Sequence, residues 1–217
     1  MSALAAATGA ANLGQGFPDA DGPEWIREAA ITAVREGANQ YPPGRGIPAL
    51  RAAVAAHQLR HYGMTFDPDS EILITAGATE AIASAILALA GPGDEVLTLE
   101  PFYDSYAAGI AMAGATHVTV PLVPGADGFR LDVEALAERV TERTRLILVN
   151  TPHNPTGTVL TRAELERVAE AATRVDAIVI TDEVYEHLTF DGQVHTPLAT
   201  LPGMAERTLT ISSAGKT

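Results

Sequence analysis

Short runs of apolar residues recur along the chain, separated by longer stretches in which apolar residues repeat at helical spacing. The runs occupy residues 71–75, 95–99, 117–121, 145–150, 177–181 and 207–212. Each run is too short for a typical helix and carries few charges. Each is therefore predicted to be a strand that is buried on both faces.

The stretches between these runs have the pattern of amphipathic helices. Helices are predicted at residues 78–90, 103–113, 132–141 and 161–173, and two more, at 23–36 and 47–62, precede the first strand. Strands that alternate with helices are typical of an α/β fold with a mostly parallel sheet flanked by helices. The alanine-rich start of the chain is interpreted as a frayed lead-in.

Composition narrows the class of protein. The 217 residues are 47% hydrophobic and 19% charged, as in an ordinary globular protein. A formal charge of -13 argues against nucleic acid and anionic membranes as partners. The absence of cysteine fits a cytoplasmic protein, and no apolar run approaches the roughly 20 residues of a membrane helix.

Polar residues follow most of the predicted strands. In sheets of this kind ligands bind beyond the carboxyl ends of the strands, so these residues are the first candidates for a site. They occupy residues 76–80, 100–103, 151–157, 182–185 and 213–216.

Gly77, Ala78 and Thr79 open a predicted helix directly after a predicted strand. The free N–H groups of a helix start attract anions such as phosphate. The alternative is an ordinary strand-to-helix turn in which Thr79 is the N-cap. The pattern is neither GxGxxG nor a Walker motif, which disfavours dinucleotide and ATP binding.

Asp182 and Lys216 are the two charged residues with the clearest chemistry. Asp182 follows an apolar run, so its carboxylate is expected to be partly buried and to need a cation or strong donor. It could instead cap the turn at 183–187. Lys216 lies among small residues after the last strand, where a lysine of lowered pKa can form a Schiff base.

Other candidates have simpler interpretations. Residues 154–157, Asn-Pro-Thr-Gly, are typical of a turn. His153 has no partner at metal-ligand spacing and is interpreted as structural. Tyr103 and Tyr106 are both compatible with packing on one face of a helix.

Taken in order, five motifs resemble the class I/II, fold-type I aminotransferases, which use pyridoxal 5'-phosphate (PLP). They are GATEA at 77–81, EPFYDSY at 100–106, NTPHNPTG at 150–157, TDEVYE at 181–186 and SSAGK at 212–216. Segments NLGQGFPD at 12–19 and NQYPPGRG at 39–46 resemble the kynurenine and N-succinyldiaminopimelate aminotransferase branch. The resemblance covers essentially the whole chain.

The resemblance implies roles for particular residues. Lys216 would form the aldimine with PLP and then act as general base and acid. Asp182 would keep the pyridine nitrogen protonated, while Asn154 and Tyr185 would hydrogen-bond the phenolic oxygen. Tyr103 would stack on the ring.

The phosphate would be held by the helix start and by one hydroxyl after the last strand: Gly77, Ala78, Thr79 and Ser213. Gly16 and Asn154 would lie beside the substrate. Tyr41 matches a tyrosine that in the family reaches the phosphate of a neighbouring subunit. The resemblance thus implies a homodimer with shared active sites.

The resemblance also implies a division of the chain. Residues 1–46 would form an N-terminal segment with substrate and dimer loops, and residues 47–217 an incomplete PLP-binding large domain. The family continues beyond this lysine with a small domain that carries a substrate-binding arginine. We therefore expect a truncated chain that on its own is poorly stable and nearly inactive.

The implied reaction is transfer of an amino group from an amino acid to a 2-oxo acid, with 2-oxoglutarate as acceptor. N-succinyl-diaminopimelate and kynurenine-like amino acids are the candidate donors. Two alternatives remain open. One is a PLP-dependent carbon–sulfur β-lyase, and the other is a non-catalytic PLP-sensing regulatory module, which would need a basic DNA-binding region that this chain lacks.

Overall fold

A computed structural model describes residues 2–12, 14, 16, 21–125 and 128–216. The chain divides into two compact units, Met1–Pro43 and Gly44–Thr217. The first unit contains α1 (Ser2–Thr8) and α2 (Glu24–Arg35). The expected frayed start is therefore wrong for Ser2–Thr8, because alanine is the strongest helix former.

The second unit is a six-stranded sheet covered by helices on both faces. Its helices are α3 (Pro48–Tyr62), α4 (Ala78–Leu89), α5 (Ser105–Ala113), α6 (Val133–Arg139) and α7 (Arg162–Arg174). Its strands are β1 (Glu95–Glu100), β2 (Thr116–Gly125), β3 (Gly128–Leu131), β4 (Thr144–Asn150), β5 (Ile178–Asp182) and β6 (Thr208–Ile211). Two short 3-10 turns, Leu198–Thr200 and Ala205–Arg207, precede β6.

The strand order is β3-β2-β1-β4-β5-β6, and every neighbouring pair is parallel except β2 and β3. The predicted α/β class and mostly parallel sheet are confirmed. The antiparallel strand β3 was not predicted.

The central strands are buried on both faces, as their apolar runs predict. Alternate residues of β4 show the division: Ile147 belongs to a core shared with α6 and α7, whereas Leu148 belongs to a core shared with α4 and α5. Successive side chains of a strand point to opposite faces, so a strand covered on both sides is apolar at most positions.

The predicted strand at residues 71–75 is wrong. This segment is extended but has no strand beside it in the described residues, and Leu73 is 60% exposed. One of its backbone hydrogen bonds reaches a distant part of the chain, from the Ile74 N–H to the Arg45 carbonyl at 3.2 Å. A strand needs a hydrogen-bonded neighbour, which an apolar run alone does not supply.

Helix α7 begins with a capping box whose glutamate also forms a hydrogen bond with β3. The Thr161 side chain accepts from the Glu164 N–H, and Glu164 Oε2 accepts from the Thr161 N–H at 2.8 Å. Glu164 Oε1 accepts from the Leu131 N–H at 2.8 Å. One carboxylate therefore joins the start of α7 to the end of β3.

Replacing Glu164 by alanine is expected to lower the free energy of unfolding by about 1–3 kcal/mol, because a part-buried N–H of Leu131 loses its acceptor. The matched control is Glu166→Ala on the same helix. Glu166 pairs with Arg162 at the surface, and that pair contributes about 0.3–0.5 kcal/mol. Urea unfolding of both variants measures the difference, and equal losses would contradict the prediction.

None of the helices in the described part of the chain is both long enough and apolar enough to cross a membrane.

Candidate active site

The carboxyl ends of the neighbouring strands β4, β5 and β6 lie in register. Asn150 is opposite Asp182 across the β4–β5 pair, and Asp182 is opposite Ile211 across the β5–β6 pair. The segments that follow these strands therefore start from one edge of the sheet. Asn154, Tyr185, Ser213 and Lys216 lie in those segments, and Asp182 ends β5.

Asp182 ends β5 and is only 6% exposed. Its carboxylate accepts a hydrogen bond from the hydroxyl of Tyr106 and one from the Val184 N–H at 3.4 Å. Burial raises the pKa of the Asp182 carboxyl, and these hydrogen bonds offset part of the rise. The carboxylate is thus a strong acceptor in a place where water supplies little screening.

The backbone of Asp182 is held from the neighbouring strand. Its carbonyl accepts from the Asn150 side-chain amide at 2.8 Å and from the Thr151 N–H at 3.2 Å. Asn150 Oδ1 in turn accepts from the Asn154 N–H at 2.7 Å. The side chain of Asn150 therefore links Asp182 to the turn that contains Asn154.

Three tyrosines lie around the carboxylate. The rings of Tyr103 and Tyr106 meet edge to face at 5.8 Å between centroids, and Tyr103 is 41% exposed. Burial raises the pKa of the half-buried Tyr185, and the charge of Asp182 and the nearby Tyr103 raise it further. Asp182, Tyr103, Tyr106 and Tyr185 form one electrostatically connected group.

The turn at 154–157 is present as predicted. His153 just before it is buried, and its Nδ1 lies 2.8 Å from the Thr156 hydroxyl. Burial lowers the pKa of His153. The structural interpretation of His153 agrees with these contacts.

Helix α4 begins at Ala78, with Gly77 as its N-cap at φ 84°. The alternative in which Thr79 is the N-cap is therefore wrong, and the helix follows an irregular segment rather than a strand. No side chain caps this helix start, while the Glu80 carboxylate accepts from the Ala76 N–H. The first N–H groups of the helix are thus left for a further acceptor, next to one acidic side chain.

Ser213 and Lys216 follow β6 on the turn that leaves the sheet edge. Ser213 is half-buried and accepts from the Gly215 N–H at 3.1 Å. Lys216 is exposed, and the structure gives it no hydrogen bond or ion pair among the described residues. The structure thus places Lys216 on the predicted edge without joining it to Asp182.

Gly16 and Tyr41 belong to the first compact unit, where both are exposed. Of the segment 12–19, residues 13, 15 and 17–19 lie outside the described residues. The expected roles of Gly16 and Tyr41 stay predictions.

The family model for "Aminotransferase class I and II" matches residues 8–217. The chain belongs to this aminotransferase family. The comparison confirms the resemblance drawn from the five motifs.

Three relatives show the range of named activities in the family. A probable N-succinyldiaminopimelate aminotransferase of Mycobacterium tuberculosis is 60% identical over 216 residues, which are 100% of this chain and 54% of the relative. A methionine aminotransferase of Escherichia coli is 46% identical over 100% of this chain and 56% of its own length. Kynurenine–oxoglutarate transaminase 3 of Mus musculus is 43% identical over 99% of this chain and 49% of its own length.

A solved structure shows that the chain also shares the fold of a relative. The solved structure of the M. tuberculosis N-succinyldiaminopimelate aminotransferase matches with a TM-score of 0.97, over 100% of this chain and 56% of that one. The fold-type I architecture is thereby confirmed. The chain spans about half the length of the curated relatives it matches.

Sequence analysis missed two residues of this candidate site. Tyr106 was interpreted as packing, but its hydroxyl donates to Asp182. Asn150 was counted as the end of a strand, but its side chain holds both Asp182 and Asn154. The available signal was the amide at the end of a buried strand, where a buried polar side chain needs partners. Tyr103 precedes α5, so its spacing from Tyr106 was not a helical signal.

Replacing Tyr106 by phenylalanine is expected to raise the pKa of the Asp182 carboxyl further, because the bond from Tyr106 lowers it. A buried acceptor that loses its donor costs about 1–3 kcal/mol of stability. Urea unfolding and carbon-13 NMR titration of the Asp carboxyls measure the two effects. Tyr103→Phe is the control, since Tyr103 is not a donor to Asp182, and the same response in both variants would refute the assignment.

Proposed function

We propose that the complete protein is a PLP-dependent aminotransferase and that the carboxyl edge of the sheet holds the cofactor. The observation that carries this proposal is the buried Asp182 carboxylate, whose donors are a tyrosine hydroxyl and one backbone N–H. A buried carboxylate of this kind favours a cationic partner. A protonated pyridine nitrogen has the required charge and donor, so the residues present fit the cofactor.

Bound PLP supplies an electron sink for negative charge that develops at the substrate Cα. In this proposal Asp182 holds a proton on the ring nitrogen through a charge-assisted hydrogen bond. Lys216 would hold the cofactor covalently until the substrate amine takes its place, and the released Nζ would then carry a proton to and from the substrate Cα. Tyr185 and Asn154 donate hydrogen bonds to the phenolic oxygen, and Tyr103 stacks on the ring face.

The phosphate is assigned to the start of α4 and to the turn after β6. The uncapped N–H groups of the helix favour an anion there, and a hydroxyl on each segment adds a donor. The residues proposed to hold it are Gly77, Ala78, Thr79 and Ser213. The Glu80 carboxylate, which accepts from the Ala76 N–H, tells against this assignment because it brings a negative charge to the same helix start.

Gly16 and Asn154 are proposed to lie beside the substrate, and Tyr41 to reach the phosphate in a neighbouring subunit. A cytoplasmic homodimer follows as part of the same proposal. Family resemblance supports the dimer, and the absence of cysteine is compatible with the cytoplasm. The division into an N-terminal segment at 1–46 and a large domain from 47 onward belongs to this proposal too.

The proposed donor is N-succinyl-diaminopimelate and the proposed acceptor is 2-oxoglutarate. Support comes from the 60% identity to a relative named for that donor, against 46% and 43% for relatives named for methionine and kynurenine. N-succinyl-diaminopimelate carries three carboxylates, two from diaminopimelate and one from the succinyl group, whereas methionine and kynurenine carry one each. Charge therefore separates the candidate donors chemically.

A protein extended to the length of its relatives is the material for the test. Each donor is supplied with 2-oxoglutarate, and glutamate formation is followed beside pyruvate and ammonia release from cystathionine. We expect glutamate, with the highest kcat/KM for N-succinyl-diaminopimelate. Pyruvate and ammonia without glutamate would favour the β-lyase, and PLP binding with neither product would favour a regulatory module.

A further inference from the structure

Three histidine side chains that the proposed cofactor site does not use converge on one another. His57 and His61 lie on α3, and His187 lies five residues after the end of β5. Their ring nitrogens come within 4.8 Å of one another, and the three ring centroids are 4.5, 4.9 and 5.0 Å apart. In the described residues no other group of three or more histidine, aspartate or glutamate side chains has this geometry.

The local sequence explains the convergence. Residues four apart on a helix share a face, so His57 and His61 project together from α3. Tyr62 stacks on His187 at 6.4 Å between ring centroids, with only 14° between the ring planes. Helix packing and aromatic stacking thus bring the third ring to the first two.

The distances suit a small divalent cation. With metal–nitrogen bonds of about 2.0–2.1 Å, the ligand nitrogens of a tetrahedral site lie about 3.4 Å apart. The Nε2 atoms of His57 and His187 are 2.7 Å apart, and the other separations reach at most 4.8 Å. Shifts of about an ångström in exposed rings would bring all three nitrogens to ligand distance.

A buried carboxylate lies next to the cluster in the chain. Glu186 directly precedes His187 and is only 5% exposed. His61 and His187 are exposed and His57 is half-buried, so an ion can enter from solvent. Carboxylates next to ligating histidines commonly orient the rings and strengthen binding.

We propose that His57, His61 and His187 form a binding site for Zn²⁺, with water in the fourth position. Imidazole nitrogens suit Zn²⁺, and three of them leave one place open in a tetrahedral site. The ion would join α3 to the segment that carries Tyr185. It would act on the stability of that segment rather than on the reaction.

Isothermal titration with Zn²⁺ of the protein extended to the length of its relatives tests the proposal. We expect one ion per chain, and each of His57→Gln, His61→Gln and His187→Gln weakens affinity by at least about tenfold, since even outer partners of ligands are worth about that much. His61 and His187 are exposed, so their variants are expected to fold. Far-UV circular dichroism checks each variant.

His117→Gln is the matched control, because His117 forms a hydrogen bond with Thr98 and lies outside the cluster. Its affinity for Zn²⁺ is expected to equal that of the wild type. Co²⁺ in place of Zn²⁺ should give visible absorption bands that disappear in His61→Gln and His187→Gln. Failure of the wild-type chain to bind one Zn²⁺, or binding unchanged in those two variants, would overturn the proposal.

Discussion

Replacing Lys216 by alanine is expected to abolish covalent attachment of PLP to the chain. Lys216 is the one lysine in the 217 residues, so the only other amine is the N-terminus. Borohydride reduction of the wild-type chain with PLP should leave one cofactor per chain, and peptide mapping should place it at Lys216. The Lys216→Ala chain should retain only the slow label at its N-terminus.

The same substitution is expected to lower amino transfer by at least about 10³-fold in a protein of the relatives' length, because both the covalent bond and the proton carrier are lost. Single-turnover rates measure this loss. Lys216→Arg is the control, since it keeps a positive charge without a nucleophilic amine and should be equally inactive. Turnover near the wild-type rate in either variant would refute the role of Lys216.

Replacing Asp182 by asparagine is expected to lower kcat/KM by about 10²–10³-fold in the same longer protein. The amide keeps the size of the side chain but removes the charge that would pair with the ring nitrogen. Loss of one partner from a buried ion pair costs about 3–5 kcal/mol, and about 1.4 kcal/mol corresponds to a factor of ten. Asp191→Asn makes the same chemical change at an exposed position and should leave kcat/KM unchanged.

Asp182→Asn is expected to lower activity, but it should not lower the stability of the protein without cofactor. Burial raises the pKa of Asp182 in the folded chain, so the folded state holds its proton more tightly than the unfolded state does. Asp182 therefore destabilises the fold increasingly as the pH rises from its unfolded pKa through its raised folded pKa. Asp182→Asn removes that effect, and the melting temperature at neutral pH should not fall. A fall in both activity and melting temperature would indicate a structural role instead.

The central sheet was predictable because strands that are buried on both faces have sequences made mostly of apolar residues. The apolar runs at 95–99, 145–150 and 177–181 correspond to β1, β4 and β5 within a residue at each end. Strand β3 was missed because its GFRL sequence is not an apolar run and pairs only through the hairpin with β2. Pairing between strands depends on neighbours that local patterns do not specify.

The same distinction applies to the candidate site. The burial of Asp182 followed from the apolar residues before it, and the structure bears this out. Its donor Tyr106 lies 76 residues earlier in the chain, on α5. A contact at that separation depends on how α5 packs on the sheet. The local sequence EPFYDSY does not indicate that Asp182 is the partner of Tyr106.

The two hydrogen bonds to the Asp182 carbonyl determine when this part of the backbone loses its conformational freedom. Asn150 and Thr151 fix this peptide group as β4 and β5 pair, so its conformational entropy is lost during folding rather than on ligand binding. The Thr151 amide hydrogen should accordingly exchange with deuterium only through large-scale opening of the sheet. The backbone of Asp182 is thus fixed before any ligand binds, and the bonds from Tyr106 and the Val184 N–H hold its carboxylate.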